Sequence, residues 1–156
     1  IENFDTCSIK ARTDNDTELY FIASHATNTF KNPEFIYTFE NGRVIYDGSG
    51  DSEITAEFND GSKKVYGNPN IDFYKKLNDC IYATENKTHP VCTVKTATPH
   101  VSIIEEMYKT VPVQSFSKEV IKDENSAISV NNLFEYMMDA YKSTSLLSEV
   151  FPHNYA

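Results

Sequence analysis

In the first 66 residues apolar side chains recur at every second position, and this alternation limits the fold more than anything else in the chain. Cys7, Ile9 and Ala11 alternate with Ser8, Lys10 and Arg12, and Leu19, Phe21 and Ala23 alternate with Tyr20, Ile22 and Ser24. Phe35, Tyr37 and Phe39 repeat the pattern, followed by Val44 with Tyr46 and by Ile54, Ala56 and Phe58. Successive strand side chains point to opposite faces, so this period marks half-buried strands. Between them, Glu40-Asn41-Gly42-Arg43 and Asn59-Asp60-Gly61-Ser62 put Asn-Gly and Asp-Gly where a tight hairpin needs positive φ. Thr13-Asp14-Asn15-Asp16 is a polar turn. The pattern predicts an antiparallel meander of about six strands.

Beyond residue 66 the spacing becomes helical. Phe73, Leu77, Cys80 and Ile81 form one stripe, and Val101, Ile104, Met107 and Tyr108 a second. The clearest stripe joins Val130, Leu133, Phe134, Met137, Met138 and Tyr141, at the spacing of one helix face. Ser117 to Ile121 is a candidate for one more strand. Strands first and helices after predict an α+β fold: a largely antiparallel sheet of about six or more strands with helices packed on one face. The 156 residues fit a single domain over 1–156. Cys7, Ile9, Leu19 and Phe21 are expected to face the helices. Tyr20, Ile22, Ile36 and Ile45 then fall on the open face, which suits a subunit or domain interface. The alternative is ordinary scattered surface apolar residues.

Charge excludes whole classes of partner. The formal net charge is −9, and a surface this acidic repels phosphate backbones and anionic lipid. No apolar run approaches the roughly 20 residues of a membrane span. Cys7, Cys80 and Cys92 are odd in number and widely spaced, which reads as reduced thiols in the cytoplasm rather than a disulfide framework. Asn15-Asp16-Thr17 and Asn86-Lys87-Thr88 match the glycosylation pattern but follow no secretory signal, and are read as chance. There is no Gly-x-Gly-x-x-Gly and no phosphate-binding loop, so no dinucleotide cradle is expected within this chain. It opens at Ile1, almost directly on a strand pattern, and is expected to be a piece of a longer polypeptide.

The densest chemistry lies in His89-Pro90-Val91-Cys92-Thr93-Val94-Lys95-Thr96-Ala97-Thr98-Pro99-His100. His89, Cys92 and His100 are metal-ligand types, but structural zinc takes four ligands in paired clusters and only a loose trio is present. A Cys92–His100 nucleophilic pair lacks any local sign of activation, and Cys92 reads better as a small buried hydrophobe. No metal site and no catalytic residue is therefore assigned. Pro99 suits the first turn of a helix capped by Thr98 or Thr96. His100 would then lie beside the free amides of the helix start, which favour neutral imidazole, and is a candidate contact for a ligand hydroxyl. Its alternative is a surface or capping histidine. His25, at the end of a strand carrying Phe21 and Ala23, is a second candidate, against a hydrogen-bonded core histidine. Glu149 and the pair Glu105-Glu106 read as solvated acids.

The helical half resembles a known family. Pro90-Val91-Cys92, Ala97, His100, Leu133, Tyr141, Leu147-Ser148-Glu149 and Tyr155-Ala156 look like the C-terminal domain of Gfo/Idh/MocA-type dehydrogenases, and Ile1-Glu2-Asn3-Phe4-Asp5-Thr6 looks like the start of that domain's sheet. The similarity implies a two-domain enzyme. An N-terminal Rossmann domain, absent here, would bind NAD or NADP and carry the catalytic lysine. The C-terminal domain would close the site over a sugar, polyol or related hydroxy compound and form a homo-oligomer interface. Only His100 matches a family position near the active site; His25 rests on its place in the strand pattern alone. Lys95 stands where this branch carries an acid, and Tyr155 where it carries tryptophan. The reading from the other class is a stand-alone, non-catalytic α+β interaction module.

Overall fold

The computed structural model describes residues 3–124 and 127–152. Ile1, Glu2, His153, Tyr155 and Ala156 lie outside them. The chain is mixed α+β and forms two compact units, residues 1–30 with 105–156, and residues 31–104.

In the first unit β1 (Thr6–Arg12) and β2 (Glu18–Ser24) pair antiparallel from Thr6↔Ser24 to Arg12↔Glu18. Their turn is closed by Asp16 N–H to the Thr13 carbonyl at 3.0 Å, with Asp16 in the left-handed region at φ 61°, which Asp tolerates better than most residues. Beyond β2 the chain does not fold back for a third strand. The Ala26 carbonyl accepts instead from Val130 N–H at 2.8 Å. Val130 ends the hairpin of β7 (Ile121–Glu124) and β8 (Ala127–Val130). Ala26, Val120, Val130 and Leu133 make a buried core, against which Phe116, Tyr136, Met137 and Phe151 pack. Leu133 opens α3 (Leu133–Ser143), and α4 (Leu147–Val150) follows. Leu147 N–H, free at the start of α4, donates to Ser8 Oγ at 3.0 Å.

The second unit is a four-stranded antiparallel meander in the order β3 (Phe35–Phe39), β4 (Gly42–Tyr46), β5 (Ile54–Phe58), β6 (Lys63–Gly67), followed by α1 (Lys75–Glu85). The helix α2 (Val94–Thr110) continues into the residue range of the first unit. Two turns hold the meander in register. Phe58 N–H bonds the Ser62 carbonyl at 2.9 Å and Gly61 N–H the Phe58 carbonyl at 3.0 Å. This is a three-residue loop whose last residue, Gly61, sits at φ 84°, as such loops require. The neighbouring turn is pinned to it, since Asn59 donates its backbone N–H to the Asn41 carbonyl and its side-chain amide to the Glu40 carbonyl, both at 3.0 Å. Gly42 is required by close approach: a Cβ there would stand 2.3 Å from the Glu57 carbonyl oxygen.

Three expectations are corrected. The six N-terminal strands form, but not as one sheet: they divide into β1-β2 and β3-β4-β5-β6, with β7-β8 separate, because the chain leaving β2 bonds to β8. Val130 belongs to that hairpin rather than to the helix, and the strand expected around Ser117 to Ile121 begins only at Ile121 because a turn bond from Val120 N–H to Ser117 precedes it. The helical side of the β1-β2 hairpin is the Ser8 face, opposite to the one expected. Leu19 and Phe21 are left 40 % and 48 % exposed, because the Ser8 hydroxyl satisfies the start of α4.

Replacing Leu133 by Ala should lower stability by about 2–5 kcal/mol, and Gly42→Ala by about 1–3 kcal/mol through forced backbone shifts. Urea denaturation followed by circular dichroism measures both; wild-type midpoints would contradict the assigned core and the close approach.

Candidate functional site

The His89–His100 segment is organised by threonines. Thr93 Oγ1 accepts the Thr96 N–H at 3.2 Å while Thr96 Oγ1 accepts the Thr93 N–H at 2.8 Å. This reciprocal cap closes the helix start, and the first helical bond runs from Ala97 N–H to the Thr93 carbonyl at 3.0 Å. The helix α2 therefore begins at Val94, ahead of the start expected from Pro99, which lies inside it. Thr98 does not cap; its hydroxyl donates to the Val94 carbonyl at 3.0 Å. His100 consequently sits past the first turn, on an exposed position, and not beside the free amides of the helix start as expected.

His25 is also exposed, at the end of β2, where its backbone N–H extends the ladder to the Asp5 carbonyl at 2.9 Å. The two candidate histidines belong to different compact units. His89 and Cys92 are exposed, so Cys92 is not the buried hydrophobe expected. Among the described residues no three His, Cys, Asp or Glu side chains gather into a metal-binding group. Glu149 is not merely a solvated acid: its carboxylate accepts the Leu146 N–H at 2.7 Å and caps α4. Glu105 pairs with Lys109 at 2.9 Å along α2. A shallow hollow lined by Cys80, Ile81, Thr84 and Glu85 lies on α1. Among the described residues no helix is long and apolar enough to cross a membrane.

One electrostatic feature, a carboxylate shared by two cations across three strands, is one that sequence reasoning missed. Glu57 on β5 accepts from Arg43 on β4 at 2.8 Å and from Lys63 on β6 at 2.8 Å. Lys63, then Arg43, hold its carboxyl below the usual carboxylate range. The signal was present: Arg43, Glu57 and Lys63 lie directly opposite one another in the register, a pairing that becomes visible once the two turns are fixed. Asp47 is lowered by the Ser49 backbone N–H and then by the Ser52 and Ser49 hydroxyls, and Asp60 by Ser62. Burial pushes the Cys7 thiol up, against a smaller opposing pull from the Ala23 backbone. A raised thiol is the reverse of an activated nucleophile.

Compared with protein-family models, with curated proteins and with solved structures, the chain matches none.

Two outcomes follow from this chemistry. Glu57, Asp47 and Asp60 have depressed folded values, so their stabilisation is complete above the unfolded carboxylate value of about 4 and is lost as pH falls through the folded values. The melting temperature should fall below pH ~4, and Glu57→Gln should flatten that fall; an unchanged acid profile in the variant would contradict the triad. Iodoacetamide should label exposed Cys80 and Cys92 rapidly and half-buried Cys7 slowly, read by peptide mass. Equal rates at the three positions would contradict the shielding of Cys7.

Proposed function

We propose that this chain is the substrate-binding and oligomerisation domain of an NAD(P)-dependent oxidoreductase acting on a sugar, a polyol or a related hydroxy compound. The observation that carries the reading is the ordered set Pro90-Val91-Cys92, Ala97, His100, Leu147-Ser148-Glu149 and Tyr155-Ala156, distributed as in the C-terminal domain of the Gfo/Idh/MocA dehydrogenases. The mixed architecture supports it: six antiparallel N-terminal strands precede the long helix carrying His100. In this account a separate Rossmann domain holds the nicotinamide cofactor and supplies the catalytic lysine. This chain contributes pocket wall, with the exposed His100 imidazole meeting a substrate hydroxyl. The setting is the cytoplasm, and copies of the chain associate into a homo-oligomer.

Chemically, an imidazole is suited to this task because it presents a donor on one ring nitrogen and an acceptor on the other. A hydroxylated substrate offers the complementary pair. One such hydrogen bond orients the carbinol for hydride transfer without taking part in it.

A non-catalytic interaction module is the second reading, favoured by apolar strand residues that stay exposed on β3, Ile36 and Phe39 among them.

The test uses the full-length polypeptide with NAD+ or NADP+ and a panel of polyols and aldoses. His100→Ala should reduce kcat/KM by roughly 10- to 100-fold, the scale of one lost hydrogen bond to substrate, while leaving cofactor affinity unchanged. No turnover of any hydroxy compound by the full-length chain would sink the oxidoreductase reading in favour of the interaction module.

A further inference from the structure

The four-stranded sheet ends in two unlike edges. β6 carries Lys63 and Lys64, and its register against β5 shifts between Ile54 and Thr55. Charge and irregularity of this kind keep other strands off an edge. β3 has neither. Phe35-Ile36-Tyr37-Thr38-Phe39 contains no charge, proline or glycine and pairs with β4 without a shift. Ile36 is 51 % exposed, Tyr37 56 % and Phe39 62 %, so apolar surface lies open on both faces of the strand. Among the described residues no strand pairs with its outer side. The backbone groups along that side select the occupant, since a row of N–H and C=O groups at strand spacing is matched by another extended chain.

We propose that β3 pairs antiparallel with β3 of a second copy of this chain, about a two-fold axis at Tyr37, joining two four-stranded sheets into one of eight strands. The sequence of the strand favours itself as partner. The axis sets Tyr37 opposite its own counterpart and Phe35 opposite Phe39 of the second copy, so rings meet rings on the face where Phe35 and Tyr37 already stack at 4.6 Å, a favourable cross-strand combination. On the other face Ile36 meets Thr38. At each end Glu34 comes level with Glu40 of the second copy. Lys31 holds Glu34 at 2.9 Å, which brings a cation to the place where two carboxylates would otherwise repel. Elsewhere the net charge of −9 opposes self-association, and β3 is an uncharged opening in that surface. The inference goes beyond the oxidoreductase reading and does not rest on it.

Sedimentation equilibrium on the whole chain tests it, with Tyr37→Lys, Ile45→Lys and Tyr37→Cys as variants. The wild type should be a concentration-dependent dimer. Tyr37→Lys sets two ammonium groups across the axis and should raise the dissociation constant roughly 100-fold or more with an unchanged circular dichroism spectrum. Ile45→Lys, away from the edge, should leave it within about threefold; the opposite ranking would assign the contact to the sheet face and overturn the edge. Under mild oxidation the Tyr37→Cys variant should yield a disulfide between the introduced thiols of two copies, read by peptide mass. Directly opposed residues lie about 4.5–5.5 Å apart, within disulfide reach. Should Tyr37→Lys fail to fold, Lys31→Glu keeps the strand intact and should weaken the dimer about tenfold. A monomer at high concentration, a dimer indifferent to both Tyr37→Lys and Lys31→Glu, or oxidation that joins the introduced thiol only to Cys7, Cys80 or Cys92 each overturns the proposal.

Discussion

The backbone hydrogen bond from Val130 N–H to the Ala26 carbonyl, 2.8 Å long, governs how this chain distributes its strands. Both residues are buried, and a buried amide left without a partner costs as much as a lost hydrogen bond. Meeting that requirement with a residue far along the sequence commits the chain leaving β2 to the β7-β8 hairpin. The meander is interrupted there, and a new sheet starts at β3. The same bond brings Val130 beside Ala26 so that Leu133, at the head of α3, completes the core with Val120.

The four-stranded sheet is held by local interactions. Its turns are fixed by Gly61 and by the two bonds from Asn59 to the preceding turn. Glu57 ties three strands together from one side through Arg43 and Lys63. On the other side Tyr46 is buried, its hydroxyl accepting from the Asn70 amide at 2.8 Å. Its edges are β3 and β6, and among the described residues no strand pairs with the outer side of either.

Much of this is legible in the residues, and the failures have specific causes. The existence of the six N-terminal strands follows from period-two alternation, and α1 and α3 from helical spacing. Sheet membership is not legible, because pairing between Ala26 and Val130 leaves no mark in local pattern. Val130 reads as helical because it stands three residues before Leu133, a spacing that a helix stripe and a strand ending at a helix share. Pro99 misleads because a proline tolerated inside a helix looks the same in sequence as one at its start, while the Thr93–Thr96 reciprocal cap is what sets the start. The Ser8 face, which also carries Tyr20 and Ile22, reads as the open interface face, yet the Ser8 hydroxyl is what the first amide of α4 requires. At the candidate site, the exposure of His100 and His25 depends on neighbours that their local sequence does not specify.

The central claim is that this chain is one domain of a larger dehydrogenase, and the most direct measurement is the nucleotide sequence upstream of the Ile1 codon. The account predicts an open frame of roughly 120 residues or more, opening on a strand and a Gly-rich turn into a helix, as dinucleotide-binding domains do. A start codon only a few residues before Ile1 would contradict it and leave a self-contained interaction module.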